Sequence, residues 1–141
     1  MNVKKLLLAT LVVGVVANVL DWIVHGTILQ GSYYSQMPGL FRQDAPFAWF
    51  IIGDFVWALV FVWVYARVYS SFSGGAKGGA TYGLYAGVLV NFPMNLFFNL
   101  TFKDFPYGLA WIWTIWGIIA FVIVGAVAGA LYKKEAAAAP A

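Results

Sequence analysis

Four long apolar runs, separated by short polar connections, restrict this chain of 141 residues to a membrane fold. Each run has the roughly 20 residues that an α-helix needs to cross a bilayer, and none alternates like a strand. Charged residues make up only 9% of the chain, against about 25% in soluble domains. We predict an all-α fold, an integral membrane four-helix bundle. It forms a single domain over residues 1–134, with spans at about 6–29, 47–68, 79–102 and 108–132.

The two ends of the chain need separate interpretations. Lys4 and Lys5 precede the first apolar run, which is the layout of a signal peptide. The apolar sequence continues to Leu29, however, and this length favours a spanning helix that is retained. Residues 135–141 form an alanine-rich tail that carries little information.

The basic residues predict the orientation of the bundle. Arg42 and Lys103 fall on one side of the predicted spans, and six basic residues fall on the other. These six are Lys4, Lys5, Arg67, Lys77, Lys133 and Lys134. Lys and Arg are enriched on the cytoplasmic side of membrane proteins, so both termini are predicted to be cytoplasmic.

Asp21 and His25 are the most informative polar residues, because they lie inside the first apolar run. An ionisable side chain near the centre of a spanning helix costs roughly 2.5–3.5 kcal/mol on insertion scales. The second and third runs carry further polar residues at a similar predicted depth. Because isolated polar groups in lipid are unfavourable, we predict that these side chains converge. The predicted cluster consists of Asn18, Asp21, His25, Asp54, Asn95 and Asn99.

Three interpretations of this cluster are open. In the structural one, Asp21 and His25 pair along their helix, Asp54 caps the second span, and the asparagines join helices. In the second, the cluster binds a small molecule or a proton, since histidine titrates near neutrality. In the third, one His and two Asp ligate zinc or iron, or His25 ligates a haem or chlorophyll. No ligand spacing typical of a metal site supports this, so we predict no metal and leave the cofactor unknown.

The sequence contains no catalytic signature. There is no cysteine, and we find no nucleophile elbow, P-loop or dinucleotide-binding motif. The basic residues form no stripe that would bind nucleic acid. We therefore predict a protein that is not an enzyme and has no nucleic-acid partner.

Glycines repeat every fourth residue in two of the runs and predict close helix packing. The third run contains Gly79, Gly83 and Gly87, and the fourth contains Gly125 and Gly129. Packing within the chain is one explanation, and contact between copies of the chain is the other.

Proline and aromatic residues add two further expectations. Pro93 lacks an amide proton and is predicted to kink the third helix. Trp113 and Tyr65 lie near opposite ends of their runs, which is typical of interfacial aromatic belts. Trp57 follows Asp54 at helical spacing and is predicted to form the floor of a polar cavity.

The stretch Asn18–Arg42 resembles the opening of small four-helix bacterial inner-membrane proteins of uncharacterised function. The residues that carry the resemblance are His25-Gly26, Ile28-Leu29, Tyr33-Tyr34 and Leu40-Phe41-Arg42. It covers the first span and its outer loop. It implies a four-helix, multi-pass protein of the bacterial inner (cytoplasmic) membrane, and it implies no reaction or ligand.

Two functions follow from these observations. The first is a non-enzymatic accessory or assembly subunit of a larger membrane complex, because the chain has little mass outside the predicted spans and has small-residue helix faces. Its partners are then the lipid bilayer and either other membrane subunits or further copies of the chain. The alternative is a protein that binds or transports a small molecule or proton through the Asp/His/Asn cluster.

Overall fold

The computed structural model of this protein describes residues 2–42 and 44–132, and this part of the chain is helical without a strand. The all-α prediction is therefore confirmed for the described residues. Lys133, Lys134 and the alanine-rich tail at residues 135–141 lie outside them.

The first helix combines α-, π- and 3-10-helical geometry. α1 (Val3–Asp21) passes directly into a π-helical segment (Trp22–Leu29), then an α-helical turn (Gln30–Ser32) and a 3-10 turn (Tyr34–Gln36). The helix is thus longer at both ends than the predicted span. Longer π-helices are rare, and π geometry is frequent at functional sites.

Three further helices follow, namely α2 (Phe47–Val68), α3 (Gly75–Thr101) and α4 (Tyr107–Leu131). α2 begins and ends at the predicted residues. α3 begins four residues before the span predicted at 79–102, and Gly74 and Gly75 form the turn at its start. Their φ angles of 74° and 62° lie in the left-handed region that glycine tolerates.

Among the described residues, three helical stretches are long and apolar enough to cross a membrane: Val3–Gln36, Phe47–Ser71 and Tyr107–Leu131. α3 has sufficient length, but glycine and asparagine replace apolar residues along much of it. These stretches support a membrane protein, and the four-helix architecture matches the prediction. α3 continues as a helix through Pro93, and the kink expected there stays a prediction.

α3 and α4 pack against each other more closely than any other pair of helices. A Cβ atom at Gly79 would collide with the carbonyl oxygen of Gly125 and lie 2.8 Å from the Cα of Gly129. A Cβ atom at Gly83 would likewise collide with the carbonyl oxygen of Phe121. The absence of side chains at these positions lets the two backbones touch.

α1 packs against α2 and α4. α2 and α3 contact each other through large side chains. The hydroxyl of Tyr82 on α3 donates to the carbonyl oxygen of Phe61 on α2 over 3.0 Å, and their rings lie 4.8 Å apart. Tyr65 belongs to the same core and is fully buried, so its assignment to an interfacial belt is wrong.

A second apolar cluster lies at the end of the bundle where the first helix ends and α2 begins, here called the outer end. It is built around Leu29, Tyr34, Phe105, Leu109 and Ala110. Residues of both clusters border the space that contains the predicted polar residues.

Candidate functional site

A cavity of about 300 Å³ lies between the four long helices. Its polar side chains come from three of the four long helices: Asp21 and His25 from the first helix, Asp54 from α2, and Asn91 and Asn95 from α3. α4 and α2 supply aromatic walls. The predicted residues Asp21, His25, Asp54 and Asn95 therefore line one cavity, and the tertiary structure adds Asn91.

A second space of about 610 Å³, the outer pocket, adjoins this cavity. Asp21, His25, Asp54 and Trp113 line both spaces. The outer pocket extends to the connection between the first helix and α2, where Phe41, Arg42 and Ala45 border it. Together the two spaces connect the polar centre of the bundle with its outer end.

His25 contacts Tyr34, which begins the 3-10 turn at the end of the first helix. Its Nδ1 lies 2.7 Å from the hydroxyl oxygen of Tyr34, and that oxygen accepts a bond from Nε1 of Trp113 over 2.8 Å. Trp113 can only donate, whereas the Tyr34 hydroxyl and Nδ1 of His25 can each donate or accept according to the tautomer of the histidine.

The pairing of Asp21 with His25, one of the predicted structural roles, does not occur in the structure. His25 bonds Tyr34 instead, and the helix changes from α to π geometry between the two residues. The α-helical i, i+4 spacing assumed in the prediction therefore does not hold at this point. Tyr34 could not be recognised from the sequence, since nothing local links positions 25 and 34.

Neither cavity carboxylate has a counterion among the residues that the structure describes. Within the part of the chain that the structure describes, Asp21 and Asp54 make no ion pair and accept no hydrogen bond. Both side chains are half-buried. Buried charges are normally paired, so two unpaired carboxylates in one cavity are a costly arrangement.

Asn95 is a further unsatisfied group. It is only 3% exposed and lines the cavity, yet its side-chain amide has no hydrogen-bond partner among the described residues. Asn91, one turn earlier on α3, behaves differently. Its Nδ2 donates to the carbonyl oxygen of Gly87 over 3.0 Å, and its side chain fills the space next to Gly117.

Two predicted members of the cluster have local roles. Asn18 donates from Nδ2 to the carbonyl oxygen of Gly14 over 2.9 Å and lines only the outer pocket. Asn99 lines neither space, and its Nδ2 donates to the carbonyl oxygen of Phe105 over 2.7 Å, which closes the turn between α3 and α4. Asn99 is thus placed to stabilise a turn, not to contact a ligand in the cavity.

Aromatic rings form most of the remaining cavity wall. Trp57 lines it as predicted and stacks on Phe61 with ring centroids 4.8 Å apart. Trp113, expected in an interfacial belt, instead faces the cavity and the outer pocket. Trp116 also lines the cavity, and its buried Nε1 has no partner among the described residues.

The structure bears on one part of the metal interpretation of the cluster. No group of three or more His, Cys, Asp or Glu residues in the described part of the chain is arranged to hold a metal ion. Ligation of zinc or iron therefore has no geometric support from these residues, and ligation of a haem or chlorophyll by His25 alone is untested.

At the rim of the outer pocket, Arg42 forms a two-pronged ion pair with Asp44. Its Nε and an Nη atom donate to the two carboxylate oxygens over 2.7 and 3.2 Å. The hydrogen bonds with Asp44 raise the pKa of Arg42, and those with Arg42 lower the pKa of Asp44. Asp44 therefore already neutralises the positive charge of Arg42 outside the cavity.

Comparison of the chain with known protein families, curated proteins and solved structures finds no match.

Proposed function

We propose that this protein is a non-enzymatic, small-molecule-binding integral membrane protein, with its binding site in the cavity between the four helices. The observation that carries the proposal is the convergence of Asp21, His25, Asp54 and Asn95 on one cavity. Within residues 2–42 and 44–132, the two carboxylates and the asparagine amide have no partner. Small-molecule sites are commonly apolar cavities of 300–1,000 Å³ with a few converging polar groups, roughly as here.

The energetic argument rests on the membrane environment. An ionisable side chain at the bilayer centre costs about 2.5–3.5 kcal/mol, so ionisable residues in spanning helices usually line pathways or binding sites. Asp21 and Asp54 receive no stabilisation from a cation of the chain's described part. A bound ligand or a proton would supply it.

The proposal includes a location in the bacterial inner membrane with both termini in the cytoplasm. Four described basic residues support this orientation, because Lys4, Lys5, Arg67 and Lys77 lie at the end of the bundle opposite Arg42. The cavity and outer pocket would then open toward the outside of the cell. The apolar side chains left exposed on the helices suit contact with lipid.

The alternative proposal, an accessory subunit of a larger complex, depended partly on glycine faces for docking. Gly79, Gly83, Gly87, Gly125 and Gly129 all lie between α3 and α4 of the same chain. They therefore offer no free glycine surface to a partner subunit. This is why we place binding of a small molecule first.

Native mass spectrometry of the protein extracted from its own membranes tests the proposal. We expect an adduct of small, defined mass on the wild-type protein, which is lost in Asp54→Asn. The control is Asp104→Asn, because Asp104 is an exposed carboxylate in the turn before α4 and lines neither space. Other polypeptides in a fixed ratio, without a small adduct, would instead support the accessory-subunit proposal.

A further inference from the structure

We infer that the cavity binds a small organic ammonium ion. This inference rests on the proposed function and specifies the chemical class of its ligand. Three independent features of the cavity support it: the sign of its charge, the nature of its walls and the unpartnered amide of Asn95.

The ionisable residues that line the cavity are two carboxylates and one histidine, Asp21, Asp54 and His25, without a Lys or Arg among the described lining residues. The adjoining outer pocket adds Arg42, whose guanidinium is already bound to Asp44. Among the described lining residues, an anionic ligand would therefore meet two unpaired carboxylates and no free cation. A cationic ligand would supply the missing counterion for both.

The walls distinguish an organic cation from a metal ion. Trp57, Trp113 and Trp116 line the cavity together with Phe98 and Phe121. Faces of aromatic rings attract ammonium groups, most strongly when both are removed from water, and tryptophan is the best of the three ring types. A metal ion would need several ligands in one coordination shell, which the described residues do not provide.

Asn95 provides an independent indication of a ligand site. Only 3% of the residue is exposed, and its side-chain amide lines the cavity without a hydrogen bond within the described part of the chain. Polar groups enclosed by a fold are normally hydrogen-bonded, so this amide is available to a ligand in the cavity. The amide oxygen can accept a bond from an ammonium N–H or from a polar substituent of the ligand.

Size restricts the ligand further. A volume of about 300 Å³ lies at the lower limit of small-molecule sites, so the ligand has few heavy atoms beyond its ammonium group. The larger outer pocket shares Asp21 and Asp54 with the cavity and gives such a cation a path from the outer end.

The test is isothermal titration calorimetry of the purified full chain in detergent, with sodium chloride at matched ionic strength. Two ammonium probes are used, choline and benzylammonium. Each is compared with an uncharged isostere, dimethylbutanol and benzyl alcohol respectively. We expect at least one ammonium probe to bind saturably and at least about tenfold more tightly than its isostere, because only the cation gains cation–π and carboxylate interactions.

Variants locate the binding. Asp54→Asn should weaken ammonium binding at least about tenfold, since it keeps the side-chain shape and removes the charge. Asp104→Asn should leave binding unchanged. If Asp54→Asn does not fold, as judged by circular dichroism, Trp57→Leu serves instead, because it removes an aromatic wall and leaves both carboxylates in place.

The inference is overturned if the isosteres bind as tightly as the cations, if neither ammonium probe binds, or if Asp54→Asn and Asp104→Asn have equal effects. Native mass spectrometry separates this failure from that of the proposed function. An adduct that is neutral or anionic, and is lost in Asp54→Asn, would leave the small-molecule site standing and exclude only the ammonium ligand.

Discussion

The hydroxyl oxygen of Tyr34 lies 2.7 Å from Nδ1 of His25 and joins the end of the first helix to its π-helical segment. The same oxygen accepts a bond from Trp113 on α4. One phenol thus fixes the orientation of the cavity histidine and connects it to a second helix. This relationship explains how a side chain from the outer connection contributes to the geometry of the polar site.

Tyr34→Phe should destabilise the protein by about 1–3 kcal/mol, because the half-buried Nε1 of Trp113 then loses its acceptor. Thermal unfolding in detergent measures this change. Tyr33→Phe is the matched control, since the Tyr33 hydroxyl makes no hydrogen bond within the described part of the chain, and its effect should stay within about 0.5 kcal/mol. Equal stability of the two variants would show that the hydrogen bonds of Tyr34 contribute nothing to the stability of the fold.

Gly79→Ala should destabilise the protein by roughly 1–3 kcal/mol, because its methyl group collides with the backbone of Gly125 and forces α3 away from α4. Gly53→Ala is the control. Gly53 lies within α2 with no atom within 4 Å of an added Cβ, so alanine should stabilise it by up to about 1 kcal/mol. Chemical unfolding of both variants measures the difference. A Gly79→Ala protein as stable as Gly53→Ala would exclude the close packing of these helices.

Asn95→Leu should raise the stability of the ligand-free protein by about 1 kcal/mol, because an apolar group of similar shape replaces an enclosed amide that makes no hydrogen bond within the described part of the chain. Asn91→Leu should lower it by about 1 kcal/mol, because Asn91 loses its bond to Gly87. Thermal unfolding of the two variants distinguishes the roles. If both variants lose stability equally, Asn95 has a structural partner and its assignment to the ligand is wrong.

The pKa of Asp44 should be lower than usual and should rise in Arg42→Gln, because the guanidinium that stabilises the carboxylate is removed. The ion pair stabilises the fold above the ordinary pKa of Asp44 and is lost as pH falls through the lowered value. A carboxylate titration by NMR measures both values. Arg67→Gln, at the opposite end of α2, should leave the Asp44 titration unchanged, and a rise there as well would exclude a local cause.

The helices were predictable because each is encoded by a continuous run of apolar residues. α2 has the bounds that its run indicates, and the glycines at positions 79 and 125 have the spacing of a packed helix face. The length of the first helix was underestimated, because the polar residues after Leu29 resemble a loop. Their backbone nevertheless continues in helical turns to Gln36.

The polar site was predictable only in part. Because an α-helix rises by a constant distance per residue, the position of a residue in its run predicts its depth in the membrane. Asp21, His25, Asp54 and Asn95 are therefore predicted at a similar depth. The rotation of each helix about its axis is set by packing and cannot be derived from depth. Asn99 therefore faces a turn, whereas Asn91, which was not included, faces the cavity.

The sequence by itself determined that this protein is helical, suited to a membrane and provided with ionisable groups inside its apolar runs, because these properties depend on composition and spacing along one segment. The tertiary structure decided which groups meet. In it, His25 contacts Tyr34 and not Asp21. Both carboxylates and Asn95 lack partners among the described residues, and tryptophans line the same cavity. Such contacts join residues far apart in the chain, and they follow from how four helices fill space together.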